Sequence, residues 1–417
     1  MFEGSLQSGT TDDRPTPRRV GHTVVLALWA IVSVVLVFTT VSPWAPQIGI
    51  FAGGTDLDVY RDGARHVMAD LPLYTQPVVY GLLYTYTPFS TLVFLPFGLL
   101  PLDSDKYIWM AANLALLAVI VVACRRMLGE RVTGATVATS GLLALACTFL
   151  EPVRTTLFYG QINLVLLALV LWDVSRGDHS RLKGVGIGIA AGIKLTPAYF
   201  VLYYLVLRRW RAAAVAVVTI AATVGVSWLL LPDDSRQYWT KTFFESTRIA
   251  PDTHPSNQSI RGAIAHVLGR DAPVLLWLVC SAVVVAVSMW IVVRLHARGE
   301  RLLAVTLAGL TAAAVSPFSW SHHWVWLVPL LVWIVHRAAN NPRWWAAALV
   351  VYLAAGAWPY RWDEHVVVVG LFLYPPWWTF TKIFVNVYPL LYVAILIGTA
   401  AIAFRGRTPV GRYPSDA

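Results

Sequence analysis

The stretch that decides the fold is GVGIGIAAGIKLTPAYFVLYYLVL, residues 184–207, whose 24 positions carry a single charge, Lys194. About 20 predominantly apolar residues are enough to cross a bilayer. Basic clusters flank this run on both sides, Arg176, Arg181 and Lys183 before it and Arg208, Arg209 and Arg211 after it. Lys and Arg collect in short cytoplasmic loops, so the run should enter and leave on one side. Lys194-Leu195-Thr196-Pro197 supplies the turning point, because a residue before proline is pushed out of the helical region. A helix broken at membrane depth is tolerated only where it is buried in protein or lines a water-filled cavity. A charge at that depth costs about 2.5–3.5 kcal/mol on insertion scales and is functional by default. Lys194 suits a lipid phosphate; the plainer alternative is a side chain that snorkels to an interface.

The rest of the chain repeats this apolar theme. Its 417 residues are 57% hydrophobic and only 13% charged, with mean hydropathy +0.62, whereas soluble domains average roughly 25% charged. Residues 21–404 therefore read as one membrane domain between basic cytoplasmic tails at 1–20 and 405–417. Arg14, Arg18 and Arg19 precede a first span too long for a signal peptide and without an Ala-x-Ala site, which predicts a retained helix. The net charge of +10 does not imply nucleic acid, because the basic residues sit in short clusters between spans. Cys124, Cys147 and Cys280 all lie in apolar runs, so no disulfide framework is implied.

Seven basic clusters, at 14–19, 125–131, 176–183, 208–211, 294–301, 337–343 and 405–412, hold 20 of the 32 Lys and Arg residues. Putting all of them inside requires an even number of crossings between neighbours. Segment 24–41 goes out and 107–123 returns, so the short, proline-bounded stretch 88–101 is a re-entrant or half-inserted helix. Segment 136–150 goes out and 158–172 comes back; 212–231 leads to a long outer loop at 232–272, and 273–293 returns. Segments 302–315, 322–335, 344–357 and 380–404 then alternate. The expectation is an all-α polytopic membrane protein with about ten full spans of about 20 residues, plus half-helices, and both termini cytoplasmic. From Asp58 to about Tyr74 polar residues alternate with Val59, Val67, Met68 and Leu71. That pattern, inside a first outer loop at 43–106, predicts a helix lying on the outer membrane surface.

This topology collects the notable polar residues on one face. They are Asp56 and Asp58, Glu151 and Arg154, Gln161 and Asn163, Asn257-Gln258-Ser259, the run 319–324, and Arg361-Trp362-Asp363-Glu364. A one-sided set is how an enzyme looks; a transporter would spread polar groups through the spans and to both faces. Asp56 and Asp58 follow Gly53-Gly54, and two acids so close repel, so one should have a raised pKa and serve as a base. The alternative is that one of them only caps the following helix. His322 and His323 point about 100° apart on a helix and have no third ligand at suitable spacing, so no metal is predicted. A phosphate partner and a structural interface histidine both remain open for them. Glu151 and Arg154 read as a surface ion pair worth under about 1 kcal/mol. Asn257-Gln258-Ser259 matches a glycosylation sequon and equally offers amides to sugar hydroxyls. Ten of the 19 tryptophans fall between positions 320 and 378; most suit an interfacial belt, and a few could stack on a sugar or an isoprenoid. Asp56-Leu57-Asp58 formally reads Asp-x-Asp, but its outer placement argues against a nucleotide sugar.

The acidic pair in the first outer loop, the surface helix, the many spans and the later His-His resemble the GT-C glycosyltransferases, polytopic enzymes that take sugar from a polyprenyl-phosphate donor. The likeness sharpens at Asp58-Val59-Tyr60, Gly160-Gln161-Ile162-Asn163, Lys194-Leu195-Thr196-Pro197, Asn257-Gln258-Ser259 and Ser321-His322-His323-Trp324. Together, over nearly the whole chain, these resemble the actinobacterial polyprenol-phosphate-mannose-dependent α-(1→2)-mannosyltransferases. The resemblance implies a GT-C-type transmembrane bundle with Asp58 as catalytic base and Asp56 as its electrostatic neighbour. It implies a cavity lined by His322, His323 and Trp324, with Lys194, Asn257, Gln258, Gln161 and Asn163 as further substrate contacts. The implied reaction moves mannose, with inversion, from polyprenyl-phosphomannose to a phosphatidylinositol mannoside, tetramannoside to pentamannoside, on the periplasmic face of the plasma membrane. No cofactor is implied beyond the lipid co-substrate. Two alternatives stay open: a sibling transferase acting on lipomannan, lipoarabinomannan or arabinan, and a lipid-linked sugar flippase, for which Lys194 is the best support.

Overall fold

The computed structural model describes residues 17–40, 42–44, 49–100, 104–245, 250–362, 365–368 and 385–405. Asp363 and Glu364 of the polar set, and positions 380–384 of the expected last span, lie outside them. In chain order the helices are α1 (Pro17–Thr39), α2 (Thr55–Met68), α3 (Pro88–Gly98), α4 (Asp105–Met127), α5 (Gly134–Cys147), α6 (Glu151–Tyr159), α7 (Asn163–Val174), α8 (Val185–Ile193) and α9 (Tyr199–Val206). They continue with α10 (Trp210–Leu230), α11 (Pro232–Thr240), α12 (Ile260–Leu268), α13 (Val274–Ala297), α14 (Arg301–Val315), α15 (Leu327–Asn340), α16 (Trp344–Ala354) and, last, α17 (Val387–Phe404). Short 3-10 turns at Thr196–Ala198 and Ser321–Trp326 precede α9 and α15. Two strands, β1 (Pro359–Trp362) and β2 (His365–Val368), pair antiparallel with Pro359 opposite Val368. That small hairpin qualifies the all-helical expectation.

Among the described residues α1, α4, α10, α13 and α17 are each long and apolar enough to cross a bilayer. Leu28, Ile31, Leu229, Leu275 and Ile397 on these helices are exposed. A water-soluble monomer rarely leaves so broad an apolar surface bare, whereas hydrocarbon solvates it; the protein is a multi-pass membrane protein. In contrast, α14 is buried from Leu302 to Ala314 and α15 from Leu327 to Val335. A helix apolar all round belongs in the interior of a bundle. The small side chains of Ala304, Ala308, Gly309 and Ala312 let neighbours approach α14 closely, with the Trp326 ring seated against Gly309.

Several expectations need correction. Segment 158–172 is not one straight span: helix α6 ends at Tyr159, and α7 restarts at Asn163 with its axis turned by 118°. Gly160 makes the corner at φ 71°, a left-handed conformation that favours glycine at a helix end. A Cβ there would also press against the Leu57 Cβ at 2.7 Å, so this glycine both turns the chain and seats it on α2. The helix expected from Asp58 starts at Thr55 and ends at Met68. Both aspartates therefore lie in its first turn, and the N-cap is Gly54 with no side-chain cap bond, so neither aspartate is the cap. Segment 88–101 does form a short helix, α3, with Pro88 in its first turn. The break at Lys194 also stands where Pro197 predicts it: α8 stops at Ile193 and Lys194 is extended (φ −145°, ψ 130°).

Candidate active site

Four pieces of chain meet at the site: the start of α2, the α6–α7 corner, the break after α8, and the 3-10 turn before α15. The corner is fixed by the Gln161 N–H donating to Thr156 O at 2.9 Å and the Trp109 indole donating to Gly160 O at 2.8 Å. These bonds turn the Gln161 side chain toward α2. Its Nε2 donates to Asp56 Oδ2 at 2.5 Å, and its Oε1 accepts from the Tyr60 hydroxyl at 2.8 Å. The Tyr86 hydroxyl lies 3.3 Å from Gln161 Nε2 and 3.0 Å from Tyr60. From Gln161 the network passes to Asn163 Nδ2 (3.4 Å), whose Oδ1 accepts from Lys194 Nζ at 3.2 Å. Lys194 Nζ in turn lies 2.9 Å from His323 Nε2.

The protonation of His323 follows from this chain. An ammonium only donates, so Nε2 accepts and the ring proton sits on Nδ1. That Nδ1 is buried without a hydrogen-bond partner among the described residues, which leaves an N–H donor with no protein acceptor. His322 packs edge-on to it at 4.9 Å between ring centres, and its Nε2 is also without a partner.

Beside Lys194 lies a cavity of about 420 Å³, partly open at its mouth. Asn163, Lys194, Thr196 and His323 form its polar end; Leu167, Val170, Phe200, Ala312 and Trp326 form much of its apolar wall. The apolar length follows one face of α7 from Asn163 past Val170. An apolar pocket with the Lys194 cation at its polar end suits an apolar chain with an anionic head.

The two aspartates have different surroundings. Burial lifts the Asp56 carboxyl to about 6, opposed by the Gln161 bond and the charge of Lys194. Asp58 is also raised by burial, held back by Arg61 and by the Tyr80 hydroxyl. Its Oδ1 lies 2.9 Å from Arg61 Nη2, and its Oδ2 accepts from Tyr80 at 3.2 Å. Residues two apart on a helix point to nearly opposite sides, so burial, not mutual repulsion, raises Asp56. Thus Asp56 joins the cavity network, while Asp58 joins Arg61, which also holds Asp105 at 2.8 Å.

Other expected contacts fall elsewhere. Glu151 and Arg154 are fully buried, so the reading as a surface ion pair is corrected. Glu151 accepts from the Tyr388 hydroxyl and sits on α6, which packs against the turn carrying both histidines. Asn257 and Gln258 are buried too. Gln258 Nε2 donates to Pro255 O at 2.7 Å and Val385 O at 2.8 Å, and its Oε1 accepts from Tyr388 N at 3.2 Å. Asn257 Oδ1 accepts from Ser319 N at 3.2 Å and Ser259 Oγ at 2.8 Å. The geometry makes them a clasp behind the histidine segment, with no amide left facing the cavity and no accessible glycosylation acceptor. Trp324 stacks on Tyr388 at 5.4 Å and faces α17; Trp326, two positions on, lines the cavity instead. Tyr60, Tyr86, Phe200 and the bond from Tyr388 to Glu151 were missed in the sequence. Only Tyr60 carried a signal, as part of the Asp58-Val59-Tyr60 motif.

Comparison with known proteins adds the following. The family model for glycosyltransferase family 87 matches residues 84–317, which leaves Asp56, Asp58, His322 and His323 outside the matched segment. The chain is 37% identical to a polyprenol-phosphate-mannose-dependent alpha-(1-2)-phosphatidylinositol pentamannoside mannosyltransferase of Mycobacterium tuberculosis, over 78% of this chain and 75% of that protein. It is 33% identical to a polyprenol-phosphate-mannose-dependent alpha-(1-2)-phosphatidylinositol mannoside mannosyltransferase of Mycolicibacterium smegmatis, over 73% and 74%. An alpha-(1->3)-arabinofuranosyltransferase of Mycobacterium tuberculosis is 29% identical over 64% and 62%. No solved structure matches the chain.

Proposed function

Because the chain belongs to glycosyltransferase family 87, we propose that it transfers mannose from polyprenyl-phosphomannose to a phosphatidylinositol mannoside, tetramannoside to pentamannoside, forming an α-(1→2) bond with inversion. One observation carries this reading: an apolar cavity whose polar end, Lys194 and His323, is hydrogen-bonded through Asn163 and Gln161 to Asp56. The polyprenyl chain occupies the apolar length, and its phosphate meets the Lys194 ammonium and the His323 Nδ1–H.

Asp56 is the base in this scheme. Its carboxylate takes the proton of the acceptor hydroxyl as that oxygen bonds to C1 of the mannose. The bond from C1 to the phosphate oxygen breaks with its electron pair, and polyprenyl phosphate leaves as an anion stabilised by Lys194 and His323. A pKa of about 6 leaves Asp56 ionised at neutral pH, yet more basic than an ordinary carboxylate. Asp58, which the resemblance singled out, is the runner-up; its ion pair with Arg61 argues for a supporting role. Asn257, Gln258 and Trp324 position the histidine segment rather than touch the sugar. We further propose a GT-C-type bundle of about ten crossings with the site on the outer face and both termini inside.

The test supplies purified protein in detergent with labelled polyprenyl-phosphomannose and phosphatidylinositol tetramannoside. An α-(1→2)-linked pentamannoside is the expected product. Transfer only to arabinan or lipoarabinomannan fragments would establish the sibling reading, which the 29% likeness to an arabinofuranosyltransferase favours as second. Absence of any product, with donor moved across vesicles instead, would establish a flippase.

A further inference from the structure

A second cavity, of about 510 Å³, lies at the opposite ends of α7 and α8 from Asn163 and Lys194, about 15–18 Å away by helix rise. Arg176, Lys183, Arg209 and Arg301 line it against one carboxylate, Asp178. Two of these cations are already used: Asp178 lies 3.0 Å from Lys183 Nζ and pairs with Arg209. The other two have no carboxylate partner among the described residues, although Arg176 Nη1 donates to Ser180 Oγ at 3.4 Å. The Arg176 guanidinium stacks on the Trp172 ring at 3.7 Å, which fixes its plane, while its Nε is buried with no partner. Arg301 acts on Asp178 through space and forms no ion pair among the described residues. Two further polar atoms in the lining are buried without partners, the Tyr203 hydroxyl and His296 Nδ1.

A plain account exists for the charge. Cations suit helix C-termini such as that of α7, and basic residues mark one side of any multi-pass protein. That account does not explain the orphaned donors. Buried polar groups are normally satisfied, and here Arg176 Nε and the Tyr203 hydroxyl, on two residues that line one concave space, have no acceptor among the described residues. Asp173, the nearest other buried acid, is spent on the backbone N–H groups of Gly184 and Ile187 and on the Tyr204 hydroxyl. The missing partner is therefore an anion with several acceptor oxygens.

We propose that this cavity binds a phosphate ester, with Arg176 and Arg301 as its charged donors and Tyr203 as its neutral one. The ligand is either the head group of an anionic phospholipid, as basic pockets between helices hold, or a soluble phosphate. This site is independent of the transfer reaction and needs neither Asp56 nor Lys194.

The experiment uses the full chain, delipidated in neutral detergent. Native mass spectrometry compares retention of phosphatidylglycerol with that of phosphatidylcholine. Thermal unfolding compares inorganic phosphate with chloride at equal ionic strength. Selective retention of phosphatidylglycerol alone identifies the lipid head group; a stabilising effect of phosphate, with or without it, shows that the phosphate group itself is read. In either case Arg176→Gln with Arg301→Gln should weaken binding at least about tenfold, since charge-assisted bonds are the strong ones. Tyr203→Phe, which removes one oxygen and leaves the packing, should weaken it about three- to fivefold. Mannose transfer by these variants in detergent should match that of the parent. Equal retention of both lipids with no phosphate effect, or binding untouched by the arginine substitutions, overturns the proposal.

Discussion

Replacing Asp56 with Asn separates catalysis from stability, and the structure sets both magnitudes. Lifting a carboxyl from its ordinary 3.8 to about 6 costs the ionised form about 3 kcal/mol. The sign follows from linkage: between pH 4 and 6 the folded protein holds a proton that the unfolded chain releases, so stability falls as pH rises through that window. Asn is isosteric, never ionises, and still offers Oδ1 to the Gln161 amide, so the variant should be at least as stable as the parent at pH 7, by up to about 3 kcal/mol less the lost attraction to Lys194. Its activity should fall about 10²–10⁴-fold, the usual contribution of a positioned base. The parent's kcat/KM should rise with pH toward a plateau above about 6, and the residual rate of the variant should be flat there. Asp58→Asn leaves Arg61 with Asp105 and Asp62, so a loss of about 1 kcal/mol in stability and only a few-fold in rate is expected. The assay is initial-rate transfer from labelled polyprenyl-phosphomannose, paired with thermal unfolding. An active Asp56→Asn beside an inactive, folded Asp58→Asn would refute the assignment.

The remaining expectations concern the cavity, the clasp and metal. Ala312→Phe, which fills the apolar wall from α14, should raise KM for a long polyprenyl donor by about tenfold, roughly 1.4 kcal/mol, and leave a short-chain donor nearly unaffected; equal effects on both would remove the donor from this cavity. Gln258→Leu strands the Tyr388 N–H and two carbonyls, so it should lower stability by about 2–5 kcal/mol; an unchanged unfolding temperature with a raised acceptor KM would instead make Gln258 a sugar contact. Chelation with EDTA should leave the rate unchanged, since Lys194 and His323 carry the phosphate charge in the proposed step; a loss restored by a divalent cation would require that step to be rewritten.

Local rules made much of the fold legible. Apolar run length marked the spans, Pro88 and Pro197 marked a helix start and a helix break, and a lone lysine in a 24-residue apolar run marked a candidate site. Those signals are covalent or compositional and survive without tertiary context. The 118° corner between α6 and α7 was not legible, because Phe158 and the apolar residues from Leu164 to Trp172 read as one span across Gly160 and Gln161. Glu151 and Arg154 misled for a related reason: opposite charges three apart look like a solvated pair, and only the packing of α6 against the histidine turn and α17 removes them from solvent.

The sequence by itself determined that this chain lives in a membrane, that the run 184–207 breaks near Lys194, and which polar residues are candidates for chemistry. Spacing alone does not rank Asp56 against Asp58, since two carboxylates in one helical turn differ only in what faces them; the resemblance placed Asp58 first. Tertiary structure sets their surroundings apart by bringing Gln161 and Lys194 from distant segments to the Asp56 side of α2, and Asp105 to the side where Arg61 pairs with Asp58. Likewise, it sets Asn257 and Gln258 in a buried clasp, because an amide's role depends on which donors and acceptors the fold brings within hydrogen-bond distance of it.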